Sequence, residues 1–306
     1  MAVTDADLQE VLAGLRSAPK AIAPKYFYNA TGAALFDAIT ELDEYYVTRT
    51  EASIFREHRA AICAAIGTGV NLVEPGAGSC EKIRWLLPEL APGNYSPLDI
   101  SAEHLARSAA KLAEEYPDLS ITPQVCDHTQ GLDIVDASGE LVFFYPGSSI
   151  GNFEPLEAIA FLSSMRQLIE QKGGLLIGVD AKKATSVLDA AYNDSAGITA
   201  EFNLNVIDHL NERFAGSLVR NNFAHHAFYN EADGRIEMHL RCLEDHTAAL
   251  AGESIDFAKD ELIHTENSYK YHPAEFAGLA AQAGFAQHSL WQDSQGWFSL
   301  FYFVPE

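Results

Sequence analysis

Basic residues are scarce in this chain: 20 Lys and Arg stand against 43 Asp and Glu, a formal net charge of −23. Such a surface repels phosphate backbones and anionic lipids, so nucleic acid and membrane are not expected partners and small molecules remain. The acids are spread along the chain and not gathered in a tail, which reads as a solvated surface and suits a monomer. Cysteine is scarce too. Cys63, Cys80, Cys126 and Cys242 are scattered without a C-x-x-C pair, which argues against a disulfide framework or a zinc site, and no metal is expected. No apolar run approaches the roughly 20 residues of a membrane span, and "MAVTDADLQE" lacks the basic start of a signal peptide. A cytoplasmic protein is the expectation. His225 and His226 are adjacent, but "NNFAHHAFYN" reads as a strand, in which neighbours point to opposite faces and do not share a ligand.

What is present is an apolar fraction of 48% over 306 residues, enough for one large domain or two unequal ones. Apolar residues at helical spacing (Leu8, Val11, Leu12, Leu15, then Leu35, Phe36, Ile39, Leu42) make the opening helical. Thr48 and Glu51 have the spacing of a capping box, which starts a third helix running through Ile54, Ile62 and Ile66. From about residue 70 the rhythm changes. Short runs rich in β-formers ("VNLVE", "NYSPLD", "SITPQVC", "ELVFFY", "GLLIGV") alternate with helical patterns at about 80 to 90, 102 to 115 and 155 to 172, the mark of a parallel sheet.

After "GVDAKK" the alternation stops. A helical region from Ala184 to about Phe214, interrupted near Ala196-Gly197, gives way to strands such as "RIEMHLRC", with Ile236, Met238, Leu240 and Cys242 on one face. A helix over "PAEFAGLAAQAG" then precedes two strands joined by "DSQG". The expected fold is α/β: a Rossmann-like sheet of the class I methyltransferase type, with an antiparallel last strand, plus a second α+β lobe. Residues 57–180 and 273–306 form the first domain in this reading, and 1–56 and 181–272 the second.

Within "EPGAGSCEK", Gly76 and Gly78 follow a strand and precede a helical pattern, so backbone can turn tightly there and approach a ligand. The third position of the dinucleotide fingerprint is Glu81, a bulky anion where pyrophosphate would lie, which disfavours NAD. Asp99 ends the second strand about 20 residues further on, where a carboxylate can accept from two ribose hydroxyls. Asp127 follows the third strand, placed to read an adenine amino group. S-adenosylmethionine brings a sulfonium cation and no phosphate, and tolerates Glu74; the alternative is an ordinary turn. No G-x-x-x-x-G-K-[ST] occurs, so the nucleoside-triphosphate loop is absent.

Several separated stretches then converge: "PKYFYNATGAALFDAITELDEYYVTRTE", "EPGAGSCEKIRWLL", "YPGSSIGNF", "LLIGVDAKK", "LDAAYND" with "TAEFNLNV", "RIEMHL" and "TENSYKY". Together they resemble the histidine-specific, S-adenosylmethionine-dependent methyltransferases, which make Nα,N,N-trimethylhistidine (hercynine), the first step toward ergothioneine. The likeness covers nearly the whole chain. It implies an S-adenosylmethionine site at Glu74, Gly76, Ala77, Gly78, Ser79, Lys82, Asp99, Asp127 and His128, and a substrate cleft between the two lobes.

On the substrate side the resemblance implies that Asn152 and Gly147 hold the α-amino or carboxylate group, with Tyr28, Tyr45 and Tyr192 around that end. Tyr45 and Asn152 are the candidate catalytic pair, Tyr45 orienting the reacting amine. Tyr28, Phe36, Tyr45 and Tyr192 are also candidates for an aromatic cage around the growing ammonium. Met238 and Glu266, with Ser268, match the positions that receive the imidazole. Read from the residues alone, the tyrosines are equally core or interface, Asn152 a turn or cap, Met238 a core residue and Glu266 a solvated acid. Activity on another amino acid such as tryptophan, or a non-catalytic S-adenosylmethionine-binding protein, stands beside the histidine reading.

Overall fold

The computed structural model describes residues 5–127, 131–132, 139–169 and 172–306. The chain divides into two compact units, one of Met1–Tyr46 with Lys183–Ser268, the other of Val47–Lys182 with Tyr269–Glu306. Sequence rhythm alone put the first junction at 56/57. Among the described residues no helix is long and apolar enough to cross a membrane.

The second unit is built on a seven-stranded sheet. Its spatial order is Gln124–Val125, Asn94–Asp99, Asn71–Pro75, Leu141–Tyr145, Gly173–Asp180, Phe298–Pro305 and Phe285–Gln292. The first five strands pair in parallel and the last two antiparallel, so Phe298–Pro305 enters between Gly173–Asp180 and Phe285–Gln292. The central runs "LVFFY" and "GGLLIGVD" are buried at every position, as parallel strands covered on both faces must be. Helices Pro155–Leu168 and Pro273–Gln282 supply Phe161, Leu162, Met165, Phe276 and Leu279 to the core that contains Phe143, Ile177, Phe301 and Phe303.

Three expectations need correction here. The pattern at 80 to 90 is no α-helix: Lys82–Trp85 is one 3-10 turn, followed by further turns. The "SITPQVC" run keeps only Gln124–Val125 as a strand, with an isolated bridge from Ile121 to Tyr95. The third helix begins at Tyr46 and runs to Ile66, so Thr48 lies inside it and does not cap it. Its stripe of Val47, Ile54, Phe55, Ile62 and Ile66 recurs at helical spacing and is buried, which sets which face turns inward.

The first unit carries a four-stranded sheet in the order Lys20–Ala21, Leu262–Tyr269, Arg235–Cys242, Phe223–Asn230. Helices Thr185–Tyr192 and Ile198–Phe214 lie on it, broken at Gly197 as the sequence pattern indicates. Two features escaped the sequence reading: the parallel pairing of Lys20–Ala21 with Ile263 and His264, and the hairpin His246–Leu250 with Glu253–Phe257.

Candidate active site

The parallel strands of the second unit end at one edge, and the loops leaving that edge carry the residues assigned to the methyl donor. Asn71–Pro75 runs into Gly76 and Gly78, whose φ values of +69° and +52° are left-handed and suit glycine. The loop is then tied to the next strand. Ala77 N–H donates to the Leu98 carbonyl at 3.0 Å, and Gly78 N–H donates to Asp99 Oδ2 at 3.0 Å. The other oxygen of Asp99 accepts from Ser101 N–H at 2.8 Å. Each carboxylate oxygen is thereby held in place with acceptor capacity to spare, which is what a ribose diol requires. Val125 pairs with Asp99, so Asp127 follows the neighbouring strand end at the same edge. Ser79 follows Gly78 in the same turn, and His128 lies outside the described residues.

The 3-10 turn after the loop bears on the ligand. A short 3-10 turn aligns too few peptide dipoles to hold a phosphate, so the loop lacks the helix N-terminus that dinucleotide sites use. A cationic, phosphate-free adenosyl group fits this donor set better. Glu74 fits as well, for a reason the sequence did not reveal. It is only 2% exposed, and the Tyr95 hydroxyl donates to its Oε2 at 2.5 Å. Burial pushes its carboxyl up to about 8, against the opposing effects of the Tyr95 hydrogen bond and the Lys82 charge. Its protonated form is therefore favoured, in a buried cluster with Tyr95, whose phenol is pushed well above its ordinary range by burial, and Cys80, raised to about 12 by the same cause. Glu74 thus ties the strand that leads into the loop to its neighbour Asn94–Asp99.

The "PGSSIGN" loop leaves the end of Leu141–Tyr145. Gly147 has φ +85° and donates its N–H to Glu51 Oε1 at 2.8 Å. Ser148 is also left-handed, at φ +64°, and its Oγ accepts from Asp180 N–H at 2.9 Å. The Asp180 carboxylate pairs with Lys270 at 2.8 Å, and both side chains are buried. Asn152 closes the 3-10 turn Ser149–Asn152, half-buried, and its side chain makes no hydrogen bond among the described residues. It is not a helix cap: the cap of Pro155–Leu168 is Glu154, in a reciprocal box with Glu157.

The remaining candidates belong to the first unit. Tyr28 and Phe36 pack edge to face at 6.0 Å, each also against Phe202. Tyr45 and Tyr192 form a second edge-to-face pair at 6.3 Å. The four aromatics thus come as two pairs. Phe202, on the helix Ile198–Phe214, was not singled out in the sequence, although it lies within "TAEFNLNV".

Met238 and Glu266 lie on neighbouring strands, 2% and 8% exposed. A solvated acid at 266 is excluded. Ser268 is 5% exposed and accepts from the Tyr192 hydroxyl at 2.9 Å. Asn203, fully buried, holds this sheet together. Its Nδ2 donates to the His239 carbonyl and to His225 Nδ1, each at 2.9 Å, and its Oδ1 accepts from Thr265 Oγ1 at 2.9 Å. His225 Nε2 faces the Tyr192 carbonyl at 2.9 Å and must donate to it, which leaves Nδ1 as the acceptor. His226 instead lies near Phe228 and His239, on the other face.

Comparison with known proteins adds four findings. The model of the family described as histidine-specific methyltransferase, SAM-dependent, matches residues 7–305. Histidine N-alpha-methyltransferase of Mycolicibacterium smegmatis is 38% identical over 95% of this chain and 92% of its own. Ergothioneine biosynthesis protein 1 of Neurospora crassa is 30% identical over 90% of this chain, which spans 32% of that longer protein. Among solved structures, magnesium protoporphyrin IX methyltransferase from Synechocystis PCC 6803 with bound SAH shares the fold, with a TM-score of 0.51 over 92% of this chain and 98% of that one at 14% identity. With a methyltransferase sheet, an adenosyl-type loop and a family match over almost its whole length, this chain belongs to the histidine-specific, S-adenosylmethionine-dependent methyltransferases.

Proposed function

We propose that this chain methylates the α-amine of L-histidine three times, giving hercynine for ergothioneine biosynthesis. The observation that carries the choice of substrate is the buried polar set of the first unit. Glu266 and Ser268 on one strand, with Met238 on the next, present a carboxylate, a hydroxyl and a thioether to a small ring bearing two nitrogens. The relatives that carry the name histidine N-alpha-methyltransferase support the same choice.

S-adenosylmethionine supplies an electrophilic methyl on a sulfonium, which an amine lone pair displaces in line. The loop Gly76–Ser79 with Glu74 on the strand that leads into it, Lys82, Asp99 and Asp127 would hold that donor: Asp99 by accepting from its ribose hydroxyls, Lys82 by meeting its carboxylate. Asn152 and Gly147 would hold the amino-acid end of the substrate. Tyr45, with Tyr192 beside it, orients the amine through its hydroxyl. The amine must lose a proton before each transfer, to water or to a nearby base. Positioning is then the main contribution of the protein. As N–H donors disappear with each methyl, the faces of Tyr28, Phe36, Tyr45 and Tyr192 offer cation–π attraction that needs no hydrogen bond. In this reading the protein works as a cytoplasmic monomer on small molecules.

The experiment is direct. Purified protein is incubated with S-adenosylmethionine and histidine, tryptophan or another amino acid in turn, and products are weighed by mass spectrometry. Trimethylated histidine is expected. Product with tryptophan alone would move the specificity, and no product with any amino acid would leave an S-adenosylmethionine-binding protein without this activity.

A further inference from the structure

Glu51 has no part in the assignments above, and its spacing from Thr48 reads as a helix cap that the structure does not contain. Its side chain is fully buried in the second unit. One carboxylate oxygen, Oε2, lies 2.7 Å from Lys82 Nζ, and the other accepts the Gly147 N–H at 2.8 Å. The surrounding backbone is shaped to admit it. A Cβ on Gly178 would lie 2.5 Å from Glu51 Oε1, and one on Gly147 would lie 2.6 Å from Lys82 Nζ. One carboxylate therefore joins a helix, the loop assigned to the methyl donor and the loop that carries Asn152, against a strand that leaves room for it.

Burying a carboxylate is costly, and a buried ion pair is a poor device for stability compared with apolar residues of the same volume. What the carboxylate does that an apolar residue cannot is aim two donors. An ammonium has three protons; Glu51 fixes one direction and thereby sets the other two. The Gly147 N–H, held at the same time, fixes the left-handed entry to the loop before Asn152.

We infer that Glu51 is a positioning residue for the methyl donor, acting through Lys82, and that it registers the donor loop against the substrate loop. This rests on the reading of Lys82 as the partner of the methionine carboxylate, and not on which amino acid is methylated. Glu51→Gln keeps the shape and can still accept from Gly147 N–H, but it turns an amide N–H toward the Lys82 ammonium and removes the charge that holds it.

The test is S-adenosylmethionine binding by calorimetry, without amino acid, for wild type, Glu51→Gln, Lys82→Met and the double variant. Glu51→Gln is expected to weaken binding about tenfold or more, the worth of a charge-assisted hydrogen bond. The histidine KM should change by less than about threefold, because the Gly147 contact survives. The double variant should bind no more weakly than Lys82→Met alone, since Glu51 acts through that lysine. Wild-type affinity in Glu51→Gln, or factors that multiply in full in the double variant, would overturn the inference. Lys82→Met alone leaves the Glu51 carboxylate buried without its cation. Should Glu51→Gln fail to fold, Glu51→Asp, which keeps the charge but draws it back from Lys82 by one methylene, replaces it: weakened S-adenosylmethionine binding is expected, and wild-type affinity would overturn the inference. A wild-type protein that did not bind S-adenosylmethionine would overturn the donor reading itself, whereas a different amino-acid substrate would leave this result standing.

Discussion

The Tyr192 hydroxyl donates to Ser268 Oγ at 2.9 Å, joining residues 76 positions apart in the chain. One belongs to the set assigned to the amine end of the substrate and the other to the imidazole end. A bond between them ties the two halves of the substrate surface proposed for the first unit.

Loss of that tie should be felt by the amino acid and not by the methyl donor. Ser268→Ala removes the acceptor from a buried tyrosine hydroxyl and is expected to raise the histidine KM about tenfold, the cost of one buried hydrogen bond. S-adenosylmethionine affinity, measured by calorimetry, should stay at the wild-type value. Equal losses for both ligands would show a general loosening and not a substrate contact.

Asn203 is expected to be the most sensitive polar residue of the first unit. Asn203→Ala removes a partner from the His239 carbonyl and from His225 Nδ1 at once, while Thr265 Oγ1 keeps the Met238 carbonyl as an acceptor at 3.0 Å. About 2–4 kcal/mol of stability should be lost in urea denaturation, from the buried groups left unsatisfied. A change under about 0.5 kcal/mol, the range of ordinary surface substitutions, would mean that water or relaxation replaces the network.

Glu74 makes stability fall as pH rises. Its folded pKa, near 8, lies above its ordinary value of 4.5, so between those values the folded chain holds a proton that the unfolded chain has lost. The contribution is full below about 4.5, declines through the window at up to about 1.4 kcal/mol per pH unit, and levels off above 8. Glu74→Gln should remove that slope, so the variant gains on wild type from pH 5 to pH 9 in denaturant titrations. Parallel curves would count against a protonated Glu74.

Glu237 acts in the opposite sense. Burial raises its carboxyl, but hydrogen bonds from Asn230, His239 and Arg235 outweigh it and bring the value to about 2, below the ordinary 4.5. Its contribution is present above about 4.5 and is lost as pH falls toward 2. Wild type and Glu237→Gln should therefore differ most near neutrality and converge in acid, followed by urea melts from pH 6 to pH 2. A gap that persisted at pH 2 would assign the difference to packing.

Much of this was legible before the structure. Alternation of strand-like and helical runs pointed to the parallel sheet, and two glycines to the tight loop after its first strand, because both are local patterns read over a few residues. The pattern at 80 to 90 misled for the same reason: Ile83, Leu86, Leu87 and Leu90 have helical spacing, but Ile83, Leu86 and Leu90 are buried by a 3-10 turn and the turns after it. Glu51 misled in another way. Its spacing from Thr48 satisfied a local rule, while the groups that take its two oxygens lie 31 and 96 positions away.

The sequence by itself determined the family, the class of methyl donor and the residues that a shared motif can carry, because these depend on residue types at short spacings. Only the tertiary structure decided which buried polar groups satisfy one another: Glu74 with Tyr95, Glu51 with Lys82 and Gly147, and Asn203 across three strands. A buried donor or acceptor must find a partner wherever the fold brings one, and spacing along the chain does not record that distance.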